Sequence, residues 1–239
     1  DVCQRMDMVH AEGLEDAGQE CKNIISVSAQ SIKSQDAITD DYLPLLQASG
    51  YRVYSFDISE FLDESYFFNF QIREYVNKEE AEGKQRNFMF PNRVMLSEMP
   101  ESSQKSILQK GRAADPEKGV YIQSKKLTIG FRPAKEDSVQ FVRLSLDGLG
   151  ESGIPLELKP LKESQNDKQF YYYESRPFKI EKFEEGKFIP LVFFASYWYD
   201  EKGGFFRFCG ADEIGPNMEA DYVENTPHFY VIGVEIKKK

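Results

Sequence analysis

Histidine, cysteine and tryptophan are scarce in this chain of 239 residues, and each shortage removes a class of chemistry. The histidines are His10, in a loose polar N-terminal segment, and His228, directly after Pro227. Nucleophilic catalysis on a Ser-His or Cys-His plan needs a histidine base, so such a triad has little to draw on. Gly150-Glu151-Ser152-Gly153 is one residue short of the G-x-S-x-G elbow and sits between strand-like segments, so no nucleophile is assigned there. The three cysteines, Cys3, Cys21 and Cys209, show no C-x-x-C spacing, which argues against a disulfide framework and a zinc site. Cys3 and Cys21 are free to pair with each other, and Cys209 reads as a small buried hydrophobe.

Positive charge is short as well. Thirty Lys and Arg face forty Asp and Glu, a net charge of −10, and the only basic run is Lys237-Lys238-Lys239. Nucleic acid and anionic membrane surfaces both require a basic patch, so neither is an expected partner. No apolar run approaches the ~18 residues of a membrane-spanning helix. P-loop and dinucleotide fingerprints are absent, and no cofactor is assigned. Asp147 with Glu151, or Asp212 and Glu213 with Asp221, are acidic enough for a calcium loop but lack EF-hand spacing; they read as solvated loops, and no metal is assigned.

What the chain does have is apolar and aromatic content, 41% and 14%, enough for packed cores. From Tyr66 the even positions Phe68, Phe70, Ile72 and Val76 alternate with Asn69, Gln71, Arg73 and Asn77, the pattern of a strand with one face on a core. Short strand-like segments continue at ~8–12-residue spacing with turn residues between them, which indicates a β-sandwich or barrel. Asp200-Glu201-Lys202-Gly203-Gly204 reads as a hairpin turn, and residues 101–118 hold one short helix.

Two stretches echo each other at a constant offset of 122 residues. Phe56-Asp57-Ile58-Ser59-Glu60-Phe61 matches Phe178-Lys179-Ile180-Glu181-Lys182-Phe183, and Tyr66, Phe70, Ile72 and Tyr75 meet Phe188, Val192, Phe194 and Tyr197. Self-similarity at a fixed offset predicts a duplicated unit. The expected fold is therefore all-β: two tandem related β-sandwich modules, immunoglobulin-like or jelly-roll-like, with a few short helices, over residues 1–122 and 123–239.

The copies differ on one face. Where the first is polar, the second carries Ile189, Leu191, Phe193, Ala195, Tyr197 and Tyr199. A strand apolar on both faces is covered on both sides. The expected cover is the N-terminal module, the 147–160 segment or another protomer, so an oligomer is allowed; the alternative is a ligand groove edged by Tyr197 and Tyr199. Trp198 aligns with Val76 and is expected in the core beside Val192 and Phe194. In Tyr171-Tyr172-Tyr173, alternation sends Tyr171 and Tyr173 to one face, where two phenols suit a sugar ring or a peptide. The candidate ligand-binding residues are therefore Tyr171, Tyr173, Tyr197 and Tyr199, and no catalytic residue is assigned.

The run Tyr51 to Val76 (YRVYSFDISEFLDESYFFNFQIREYV), together with QFYYYESRPFKIEKFEEGKFIPLVFF, resembles exported β-sandwich proteins of unknown function common in gut bacteria of the Bacteroidetes type. The resemblance implies an exported protein of the periplasm, cell surface or medium without an assigned reaction. A start at Asp1 suits either a processed mature chain or a trimmed one. The expected role is non-catalytic binding or adhesion, with a glycan or a protein as ligand. The alternatives are a carboxylate-dependent glycan hydrolase and a structural subunit of a surface assembly.

Overall fold

The computed structural model describes residues 39–134, 136–163, 166–200, 202–208, 210–215, 217–218 and 221–239. Cys3, Cys21, His10 and Cys209 lie outside them, and with them the expected Cys3–Cys21 pair. The chain divides into two compact units, residues 1–43 and 44–239, and the second carries the sheets. It is mostly β, with short helices at Thr39–Ala48, Glu101–Gln109 and Asp221–Asn225.

Strands Arg52–Asp57 (β1), Tyr66–Val76 (β2), Arg86–Pro91 (β3), Lys126–Pro133 (β4), Val139–Leu146 (β5) and Gly150–Glu157 (β6) are followed by Tyr173–Pro177 (β7), Phe188–Ser196 (β8), Trp198–Asp200 (β9), Phe205–Arg207 (β10) and His228–Lys238 (β11). A four-stranded antiparallel sheet runs β1-β4-β5-β6. A six-stranded sheet runs β7-β8-β11-β2, and β2 then pairs with both β3 and the short Glu79–Glu80 strand. The core lies between the sheets: Leu127, Ile129, Phe131, Leu144 and Leu156 from the first meet Phe68, Phe70, Ile72, Phe194 and Ile232 from the second. The even face of Tyr66–Val76 is thus the core face, as its alternation predicts. At the strand end Val76 is exposed, a departure from the expectation.

The strands do not sort into two sandwiches along the chain. β2 and β8, read as copies, lie in one sheet on either side of β11. Their companions differ too, since Phe56 belongs to β1 in the other sheet and Phe178 follows β7, the direct partner of β8. The expected division between residues 122 and 123 falls inside the strand Val120–Gln123 and within the single unit 44–239. The physical reason is β11, which pairs along β2 from Tyr66 to Val76 and so joins the two halves.

The second apolar face of β8 is covered, as its pattern requires, but by its own chain. A β-bulge between Pro190 and Val192 shifts the register. Ile189 and Leu191 therefore join the main core, and only Phe193 and Ala195 face outward. With Phe229 and Val231 they pack under Phe178, Ile214 and Val223, with Phe208 and Met218 at the rim. Phe178, Ile214 and Val223 thus cover Phe193 and Ala195, which was not expected, while Ile189 and Leu191 pack in the main core with Ile154 and Leu156 of the expected 147–160 segment. Trp198 belongs to this second cluster and is half-buried. Val192 and Phe194 lie in the other core, because Tyr197 interrupts the strand before Trp198 and side-chain parity does not carry across the break.

Candidate functional site

An aromatic cavity sits at the start of β7. Tyr171 and Tyr172 immediately precede that strand, and the Tyr197 backbone N–H donates to the Tyr172 carbonyl at 2.9 Å, tying the end of β8 to this segment. Residues 198–207 then fold back as the expected hairpin, with Tyr199 opposite Phe206. Gly204 supplies the positive φ of +68° that its turn needs, and Asp200 Oδ1 accepts the Lys202 and Gly203 N–H groups. This fold-back brings Phe206 to Tyr172, ring centroids 5.5 Å apart and near perpendicular.

Tyr171, Tyr172, Tyr173, Tyr197 and Phe206 line a cavity of about 380 Å³. Three of the four tyrosines named from the sequence are thus brought together. Tyr199 is not: it stands behind the lining, edge-on to Phe206 at 5.2 Å. Tyr172 and Phe206 were not among the sequence candidates. Tyr172 was set aside by alternation, yet it is 45% exposed and stacks on Phe170 at 5.3 Å. Phe206 becomes visible only once the hairpin turn is folded. The Tyr197 ring in turn stacks on Phe208 at 5.1 Å, and the Arg176 guanidinium lies over Phe208 at 4.7 Å while donating to its carbonyl at 2.7 Å. The lining is therefore braced from behind by a cation–π contact.

The Tyr173 hydroxyl points into the protein. It lies 2.5 Å from His228 Nδ1 and accepts the Lys159 backbone N–H at 2.9 Å. His228 Nε2 is 3.1 Å from Glu74 Oε1, and Lys84 Nζ is 3.5 Å from Glu74 Oε2. His228 and Glu74 are 2% and 5% exposed, so this chain is a buried one. Burial holds the His228 pKa below the ordinary histidine value, with Glu74 opposing, and burial pushes the Tyr173 and Tyr230 phenols well up. The sequence signal for Glu74 is its place as the one polar residue on the otherwise apolar even face of β2.

A smaller cavity, about 230 Å³, is lined by residues 179–190 alone. There Glu184 is matched by Lys187 at 2.5 Å and Lys182 at 3.1 Å, so its charges answer one another. The Asp147–Glu151 pair weighed for calcium is not built as a site, since Glu151 is engaged by Arg143 on the surface.

Residues 24–238 match the family described as Domain of unknown function (DUF5041). The chain belongs to that family. No curated protein and no solved structure matches it. That description carries no activity, and a fold alone does not imply one, so the functional reading rests on the tyrosine cavity and the buried chain behind it. Among the described residues no helix is long and apolar enough to cross a membrane.

Proposed function

We infer that the chain is a non-catalytic binding protein that takes a glycan in the Tyr171–Phe206 cavity, in an exported or cell-envelope setting. The observation that carries this reading is the lining itself: four tyrosines and one phenylalanine around about 380 Å³ of space. A sugar ring has apolar C–H faces and hydroxyl edges. Aromatic faces cover the first while phenol hydroxyls meet the second, and apolar walls with a few polar groups are the usual make-up of a ligand site. Tyr171 and Tyr172 keep phenols at the rim, the first already bonded to Gln169 Oε1 at 3.3 Å. Among the described residues the lining carries no carboxylate. Export is supported by the likeness of the Tyr51–Val76 run to exported proteins.

A glycan array with the purified chain tests the reading. Retention of neutral oligosaccharides by the wild type and loss in Tyr172→Ala and Tyr197→Ala support it. Binding to a peptide or protein surface with no glycan retained would replace the ligand class, and no change in either variant would remove the cavity from the account.

A further inference from the structure

Three groups around the Tyr173 hydroxyl restrict where its proton can go. The Glu74 carboxylate, beside Lys84, only accepts, so His228 presents Nε2–H to it. A neutral imidazole protonated on Nε2 has a bare Nδ1, and the group 2.5 Å away is the Tyr173 hydroxyl, which must then donate. The same oxygen accepts the Lys159 N–H. The phenolic proton therefore points inward while the Tyr173 ring forms cavity wall. The groups facing His228 are Glu74 on β2, Lys84 in the connection to β3, Lys159 after β6, Tyr173 on β7 and Tyr230 on β11, whose ring lies 5.0 Å away.

We propose that Glu74 and His228 are positioning residues that fix the direction of the Tyr173 proton, holding it on His228 Nδ1 at neutral pH and turning it to the Lys159 carbonyl when His228 is protonated. In the reversal, a solvent proton adds to Nδ1, the new Nδ1–H donates to the phenol oxygen, and the phenol O–H turns away. Its new acceptor is the Lys159 carbonyl, 3.3 Å from the phenol oxygen.

The chain has only two histidines, which makes the proton chain directly measurable. In ¹⁵N-histidine NMR of the full chain, with His228→Gln assigning the signals, His228 should show protonated Nε2 and bare Nδ1 at pH 7.5, and Tyr173→Phe should shift its Nδ1 resonance. Glu74→Gln, its carbonyl kept toward Lys84, should raise the Nδ1–H tautomer. A wild-type Nδ1–H tautomer, an Nδ1 signal indifferent to Tyr173→Phe, or an unchanged tautomer in folded Glu74→Gln would overturn the proposal. Following the His228 signals on acidification reads the reversal: Nδ1 should take up the proton, and Tyr173→Phe should shift the midpoint of that step. An identical step in Tyr173→Phe would also overturn it.

Discussion

Tyr197 and Phe208 stack at 5.1 Å with their planes 17° apart, and this pair joins the cavity to the second core of the molecule. One ring lines the cavity, and the other packs on the cluster of Phe193, Phe229 and Ile214. The cavity wall is thus as firm as the segment that carries Phe208. Phe208→Ala is expected to cost about 2 kcal/mol, toward the low end for a large-to-small change because the ring is half-buried. Chemical denaturation reads the loss, which should be accompanied by weaker glycan binding.

Phe193 is wholly buried in the cluster with Phe178, Ile214 and Val223, its ring centroid 4.9 Å from that of Phe229. Phe193→Ala should cost about 3–5 kcal/mol. Phe193→Asp, which buries an unpaired charge, should leave little folded protein in circular dichroism. Leu191→Asp should be as damaging, through the main core rather than the second one.

Gly233 sits opposite the β8 bulge. A Cβ there would lie 2.4 Å from the Ile189 carbonyl oxygen and 2.6 Å from the Phe188 ring. The oxygen belongs to a paired strand and has nowhere to move. Gly233→Ala is therefore expected to destabilise by about 1–3 kcal/mol, the usual range for overpacking, seen as a lower midpoint in denaturant.

The pH dependence of stability follows from His228. Its pKa in the fold lies below the 6.5 of an exposed histidine, so the unfolded chain takes up the proton first. The contribution is full above pH 6.5, is lost as pH falls from there through the folded pKa, and is constant below it. Wild type minus His228→Gln isolates this term from the carboxylates. The difference in melting temperature should shrink on acidification from pH 7.5, about 2–4 °C for each kcal/mol in a domain of this size. A difference that grows on acidification would reverse the assignment.

Local pattern in this chain announces faces, and it is silent on partners. The alternation of Tyr66–Val76 marked a half-buried strand, and Asp200–Gly204 marked a hairpin turn, because both depend on neighbours in sequence. Pairing Phe56 with Leu127, or His228 with Val76, depends on chain far away. The echo at 122 residues has a plain cause: β2 and β8 flank the same central strand and bury the same kinds of face. Similar demands give similar patterns with no duplicated module. The bulge at Leu191 defeated parity for the rest of β8. At the site, the aromatic runs pointed to Tyr171, Tyr173 and Tyr197. Phe206 needed the hairpin fold-back, and Glu74 with His228, 154 residues apart, needed the whole sheet.

Titration calorimetry of the best-retained neutral oligosaccharide against wild type, Tyr172→Ala and Tyr197→Ala, with Tyr51→Ala as an exposed tyrosine outside the cavity, tests the central claim most directly. The glycan-binding account predicts that each cavity substitution weakens binding by about 2 kcal/mol, near thirtyfold, as loss of an aromatic anchor does, while Tyr51→Ala matches wild type. Equal affinity in all four proteins, with melting temperatures unchanged, would contradict it.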